Sequence, residues 1–155
     1  MTQASSHVRG ERASLQRVDE AFRHQSAQQR IRPQDAPDKR LRFRPMAKLP
    51  NGERALIPME KLTDYCLNPD HARGKDKARV FASVLGITRD RAPELVDLVR
   101  QAARDGDITN EASTVWGQYY RVDWAVPSRV DVVLRTMWEI APGEEIPRLV
   151  SVFIR

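Results

Sequence analysis

The sequence predicts an α+β fold, with N-terminal helices packed on one face of a small antiparallel meander of three to four strands. Two observations predict it. Apolar residues recur at helical spacing as far as Gly106, and beyond it they alternate with a period of two. Turn formers stand at the junctions between these runs: Asn68-Pro69, Gly86, Gly106 and Pro142-Gly143.

The first elements are sparse. Residues 1–50 hold few aliphatics, many Gln, Arg and Ser, and a Pro-punctuated stretch from Pro33 to Pro50, a composition that buries too little apolar surface to offset chain entropy. This predicts a basic, partly disordered arm. Within it Leu15, Val18, Ala21 and Phe22 form a narrow stripe on a helix over about residues 13–29, too thin for a core and suited to docking on another surface. Arg30–Pro50 reads as an extended tether.

The folded domain is expected over residues 51–155. Ala55–Ile57 is a short apolar segment stopped by Pro58, and Met59, Leu62 and Tyr65 or Cys66 fit a helix. A polar loop with Pro69 and Gly74 interrupts it. Ala78, Phe81, Ala82 and Leu85 share one helical face, closed by Gly86 as a left-handed cap. A second amphipathic helix runs from about Ala92 to Arg104, with Pro93 in its first turn and Leu95, Leu98, Val99 and Ala102 on one side. Strands follow over Gln118–Val126, Val130–Ile140 and Arg148–Ile154, and Glu111–Trp116 is a candidate fourth.

Composition excludes several classes. No run of about 18 apolar residues exists, and Met1–Gly10 lacks the apolar core of a signal peptide, so neither a membrane span nor a Sec signal is expected. A single cysteine permits no internal disulfide or thiolate zinc cluster. The P-loop, dinucleotide, zincin and elbow-serine motifs are all missing. Cys66 with His71 is the one conceivable Cys-His pair, and apolar neighbours predict that Cys66 is buried and inert. The chain of 155 residues carries a net +5, yet residues 1–50 hold 11 Lys+Arg against 5 Asp+Glu while residues 51–155 hold 15 against 16. The basicity thus belongs to the arm, and the domain's case for binding phosphate rests on a few placed cations.

Two groups of residues retain chemistry. The loop Asn68–Lys77 sets His71, Lys75 and Lys77 at the start of a helix, equipment for binding a phosphate and moving a proton; the same residues equally suit a polar turn with solvated lysines. On the strands, a core Trp138 puts Thr136 on the helix-covered side and Arg135 on the open side, with Arg121 and Tyr119 on the neighbouring strand. That open face offers a cationic platform and an aromatic for a base, or else a salt-bridge lattice of Arg121, Asp123, Arg135 and Glu139. No metal or cofactor is expected.

The run Lys61–Phe81, together with Gly117–Asp123, Arg135–Ile140 and Pro147–Ser151, resembles C-terminal domains of bacterial polymorphic and contact-dependent inhibition toxins and of phage-associated proteins, over about residues 56–154. The order of helices then meander also resembles the barnase/EndoU/colicin/RelE fold of metal-independent ribonucleases. The resemblance implies attack of an RNA 2′-hydroxyl on the adjacent phosphorus. His71 or Lys77 would transfer the proton, Arg135 would neutralise the phosphorane and Thr136 would donate a hydrogen bond. Arg135 and Thr136 face opposite sides of a regular strand, so one pocket for both needs a bulge. The chain departs from the family pattern at Ala72, where Pro is common, and at Pro127-Ser128-Arg129, where a Gly turn is frequent.

The implied partners are RNA and a cognate immunity protein. The implied setting is production in a bacterial cytoplasm within a larger polypeptide or delivery machinery, then action in a target-cell cytoplasm. Two other classes are weighed against this. A protein-binding tip or adaptor module needs no catalytic histidine, and the acidic turn Pro142–Pro147 superficially resembles that of ADP-ribosyltransferases, without the accompanying Ser-Thr-Ser strand.

Overall fold

A computed structural model describes residues 13–24, 47–129 and 131–155. Of the expected tether Arg30–Pro50, residues 30–46 lie outside these, as do the last residues of the expected first helix, while Leu49 is buried in the main core, so the tether reading is corrected at that end. Helix α1 spans residues 13–24. Helix α2 is the wide turn Lys61–Cys66, α3 runs through Lys75–Val80 and continues as a second wide turn, Phe81–Leu85, and α4 is Ala92–Asp105. Four antiparallel strands follow, β1 Asp107–Thr114, β2 Gly117–Ala125, β3 Val133–Ile140 and β4 Arg148–Ile154, in the spatial order β1-β2-β3-β4. The α+β meander expected from the change of period is what forms.

Strand edges differ from the expectation in two places. β1 starts at Asp107, directly after the Gly106 cap, so the fourth strand is longer than the apolar content of Glu111–Trp116 suggests. β3 starts at Val133 because Val132 is held in the preceding turn, its N–H donating to the Arg129 carbonyl at 3.1 Å. Gly117 enters β2 at φ 130°, and a Cβ there would meet the Ile140 carbonyl oxygen at 2.3 Å, so only glycine closes this hairpin.

The main core lies between one sheet face and helices α2 to α4. Leu62, Phe81, Leu95 and Val99 pack on Val122, Leu134, Trp138, Leu149 and Val152, all buried. Leu149 and Val152 both reach this core because the β3–β4 register slips between Met137 and Trp138, which pair with Ser151 and Leu149. Val150 is the extra residue of the resulting bulge. Past it, Ser151 and Phe153 turn to the opposite face beside Met137 and Arg135.

That opposite face is not open. The stripe of α1 inserts Val18, Ala21 and Phe22 against Ala112, Tyr119, Met137 and Val150, with Leu15 and Phe153 at the margin. The predicted docking helix therefore docks on this domain's own sheet, and the expectation of an exposed platform is corrected. Tyr119 is fully buried, its hydroxyl donating to Glu139 Oε1 at 3.2 Å.

Candidate functional site

The sequence-selected residues divide into two neighbourhoods that meet at β4. The first is the loop between α2 and α3. Asn68 shapes it, Oδ1 accepting from the Asp70 N–H at 3.0 Å, a local turn that the asparagine side chain supplies itself. Gly74 then passes so close to α2 that a Cβ would lie 1.9 Å from the Tyr65 carbonyl oxygen. This contact holds His71 against α2, its ring edge-on to Tyr65 with centroids 4.8 Å apart. His71 Nδ1 accepts from the Arg73 and Gly74 amides at 3.2 and 3.0 Å. Nδ1 is thereby committed as an acceptor, so the neutral ring carries its hydrogen on Nε2 and offers a donor there.

Lys77 sits one turn into α3 and reaches across the edge of β4. Its Nζ donates to Ser151 Oγ at 2.7 Å and lies over the rings of Tyr65 and Phe153, 5.0 and 5.3 Å from their centroids. Burial disfavours the ammonium and lowers the Lys77 pKa, while Cys66 and Asp19 act in the opposite direction. Tyr65 thus touches both His71 and Lys77. Lys75, one side of the helix away, is exposed.

The second neighbourhood is the charged half of the α1-covered face. Arg135 lies opposite Phe153 in the β3–β4 pairing. Its guanidinium forms a two-point pair with Asp123, both contacts at 2.7 Å, which raises the Arg135 pKa. Arg155 adds a longer contact to the same carboxylate at 3.6 Å. Arg121 lies beneath α1, its guanidinium carbon 4.7 Å from the Phe22 ring centroid. Desolvation first, and then the like charge of Arg135, lower its pKa, partly offset by Asp123 and Asp19.

Thr136 stands apart. It is fully buried on the core face, accepting from Trp138 Nε1 at 2.8 Å and approaching the Val122 carbonyl at 3.4 Å. The bulge that would bring it round to Arg135 falls in β4 rather than β3, so Thr136 shares no surface with the others. Cys66 is buried, with Sγ 3.7 Å from the Val152 carbonyl. Glu144 and Glu145 are exposed in their turn, where Asn51 Nδ2 holds the Glu145 carbonyl at 2.9 Å.

Sequence reasoning missed Ser151, Tyr65 and Phe153 as companions of Lys77, and Asp19 of α1 as an acid whose charge acts on it. Tyr65 and Ser151 are within the quoted runs, but strict alternation from Leu149 sends Ser151 to the core face. A cleft of about 950 Å³ also opens between α1 and the β1–β2 hairpin, lined by His24, Glu111, Trp116 and Tyr120 among others. None of the sequence-selected residues lines it. No group of three or more potential metal ligands occurs among the described residues, nor does any helix long and apolar enough to cross a membrane.

The geometry defines an α+β domain with a desolvated lysine at the meeting of a helical loop and a charged sheet face. The chain belongs to the family described as Domain of unknown function (DUF6883), which it matches over residues 48–155. No curated protein and no solved structure matches it. The matched region begins just ahead of the domain and leaves α1 outside.

Proposed function

We propose that the domain is a metal-independent RNA-cleaving toxin module. The observation that carries the reading is Lys77, an amine whose charged form is disfavoured by burial, held by Ser151 Oγ at 2.7 Å and bordered by His71 through Tyr65. A buried amine with a lowered pKa suits proton abstraction, because its basic form is populated nearer to neutrality than that of a solvated lysine.

In the proposed step the uncharged Lys77 amine accepts the proton of an RNA 2′-hydroxyl. The 2′-oxygen bonds to phosphorus, the bond to the 5′-oxygen breaks, that oxygen takes a proton from water, and protonated Lys77 gives its proton to the hydroxide so formed. The products end in a 2′,3′-cyclic phosphate and a 5′-hydroxyl. Arg135 and Arg121 offset the charge that grows on the phosphorane oxygens, and His71 donates from Nε2 to one of them. Of the two expected proton-transfer groups, His71 and Lys77, this reading takes Lys77, and Thr136 has no part.

The implied setting is delivery into a target cell with an immunity protein as partner. Because α1 lies across the face, the assay uses the full chain both as wild type and as V18D/F22D, which charges two buried contacts of the helix. At micromolar protein in EDTA, total tRNA is cleaved to cyclic-phosphate ends, and Lys77→Met abolishes this. Intact tRNA with both forms overturns the reading. The adaptor reading has one observation in its favour, the exposed Val115 and Trp116 at the tip of the β1–β2 hairpin. It predicts no growth inhibition when the chain is expressed in bacterial cytosol.

A further inference from the structure

We propose that α1 is a built-in cover for a phosphodiester-binding surface formed by Arg121, Arg135, Lys77 and Ser151, so that the chain holds its own sheet face closed until the helix leaves. The proposal rests on the ribonuclease reading for the identity of the ligand and adds the regulation of that site.

Five observations converge on it. The covered face is chemically unlike a core: Arg121 and Arg135 occupy neighbouring strands, Arg135 disfavours the charge on Arg121, and a single carboxylate, Asp123, takes both contacts from Arg135. Arg121 Nε is buried without a hydrogen-bond acceptor among the described residues. Burying a charged donor unsatisfied is costly, so such an atom marks a place where an acceptor is missing. What α1 sets against the guanidinium is the ring of Phe22, which attracts a cation but accepts no hydrogen bond in place of an oxyanion. A phosphodiester supplies the acceptor that Phe22 does not, and neutralises the neighbouring arginines together.

The helix's polar side fits the same role. Asp19 contributes negative field at both Lys77 and Arg121, two of the three cations of the proposed surface. α1 therefore offers the face one carboxylate and an aromatic ring, a partial imitation of a nucleotide. Its position in the chain completes the argument: α1 lies outside the family region at 48–155, yet it is joined to the domain through residues 25–46. A tethered segment sees its site at high effective concentration, so a modest interface suffices to keep the face covered while remaining displaceable.

The test uses the full chain and a fluorescein-labelled 2′-O-methyl oligoribonucleotide, which carries the phosphodiester backbone and cannot be cleaved by 2′-hydroxyl attack. Hydrogen exchange over residues 13–24 reports whether α1 is docked. V18D/F22D, with the milder Phe22→Ala in parallel, exposes those amides and tightens oligonucleotide binding at least tenfold over wild type. Arg121→Gln added to either variant removes the gain.

Exchange that is unchanged in both variants, or freed α1 without tighter binding, overturns the proposal. Tighter binding to the freed face without cleavage of unmodified tRNA upholds the cover and rejects the ribonuclease chemistry, so the two claims fail separately.

Discussion

One face of the sheet is a continuous apolar surface, and the other alternates cations, a carboxylate and a narrow apolar strip. On the first, Val122, Leu134, Trp138, Leu149 and Val152 meet three helices with residues that are nearly all fully buried. On the second, Arg121, Asp123, Arg135 and Ser151 share the surface with Tyr119 and Met137, and a single twelve-residue helix packs on its apolar strip and on Arg121. The difference teaches where the chain invests in stability and where it keeps chemistry. A face built only for burial has no reason to place a guanidinium group under a phenylalanine with a second arginine on the neighbouring strand.

The largest effects separate the faces directly. Leu134→Ala in the main core is expected to cost about 2–5 kcal/mol, the range for a leucine deleted from a packed interior. Phe22→Ala removes a larger side chain of similar burial, yet is expected to lower global stability by less than about 1 kcal/mol, because α1 undocks locally before the domain unfolds. Urea denaturation of the two variants measures both. Equal losses would make α1 an ordinary part of one cooperative core and erase the distinction between the faces.

An intermediate effect concerns the loop that joins them. Gly74→Ala sets a Cβ against the Tyr65 carbonyl and forces the His71 loop off α2, at about 1–3 kcal/mol of overpacking. RNA cleavage should fall further than stability does, since His71 and Lys77 both rest on Tyr65.

Lys77→Met sharpens the contrast from the other side. The folded-state pKa of Lys77 lies below its ordinary value of 10.5, so the unfolded chain binds the proton more readily and the native state gains stability as pH rises from the folded pKa toward 10.5. Lys77→Met should therefore be neutral or stabilising near pH 7, with the difference from wild type shrinking as pH approaches 10.5, while activity is lost. Chemical denaturation at pH 7 and pH 10 gives the sign.

The smallest effect is at Tyr119. Burial, then the adjacent Glu139, push its hydroxyl up to about 12. The folded chain keeps this proton after the unfolded one has lost it, so this contribution is present below pH 10 and fades as pH rises through 10 to 12. Tyrosinate absorbance, followed in wild type and Tyr119→Phe, should assign the latest-ionising phenol to Tyr119. Glu139→Gln should bring it down.

The apolar face was legible because periodicity records burial: alternation through Tyr120, Val122 and Trp124 and the helical stripe of Leu95, Val99 and Ala102 meet as expected. The thin stripe of Val18, Ala21 and Phe22 was legible as a docking surface, though not its partner, because nothing local to a helix says which face will accept it. Lys77 was identified by its place in a polar loop. Its setting was not, because Ser151 reaches it only through the bulge at Val150, and a register slip between strands leaves no mark in alternation along one strand. The pairing of Arg135 with Asp123 was part of the salt-bridge lattice left open beside the platform, and the direct β2–β3 register sets these two residues opposite one another.

The central claim is that the charged face, uncovered, is the working surface of the domain. Cleavage of total tRNA in EDTA by the full chain tests it most directly, comparing wild type, V18D/F22D, and V18D/F22D carrying Lys77→Met. The account predicts slow cleavage by wild type, a rate at least tenfold higher once α1 is released, and none when Lys77 is also replaced. Intact tRNA in all three, or equal cleavage with and without Lys77, would contradict it.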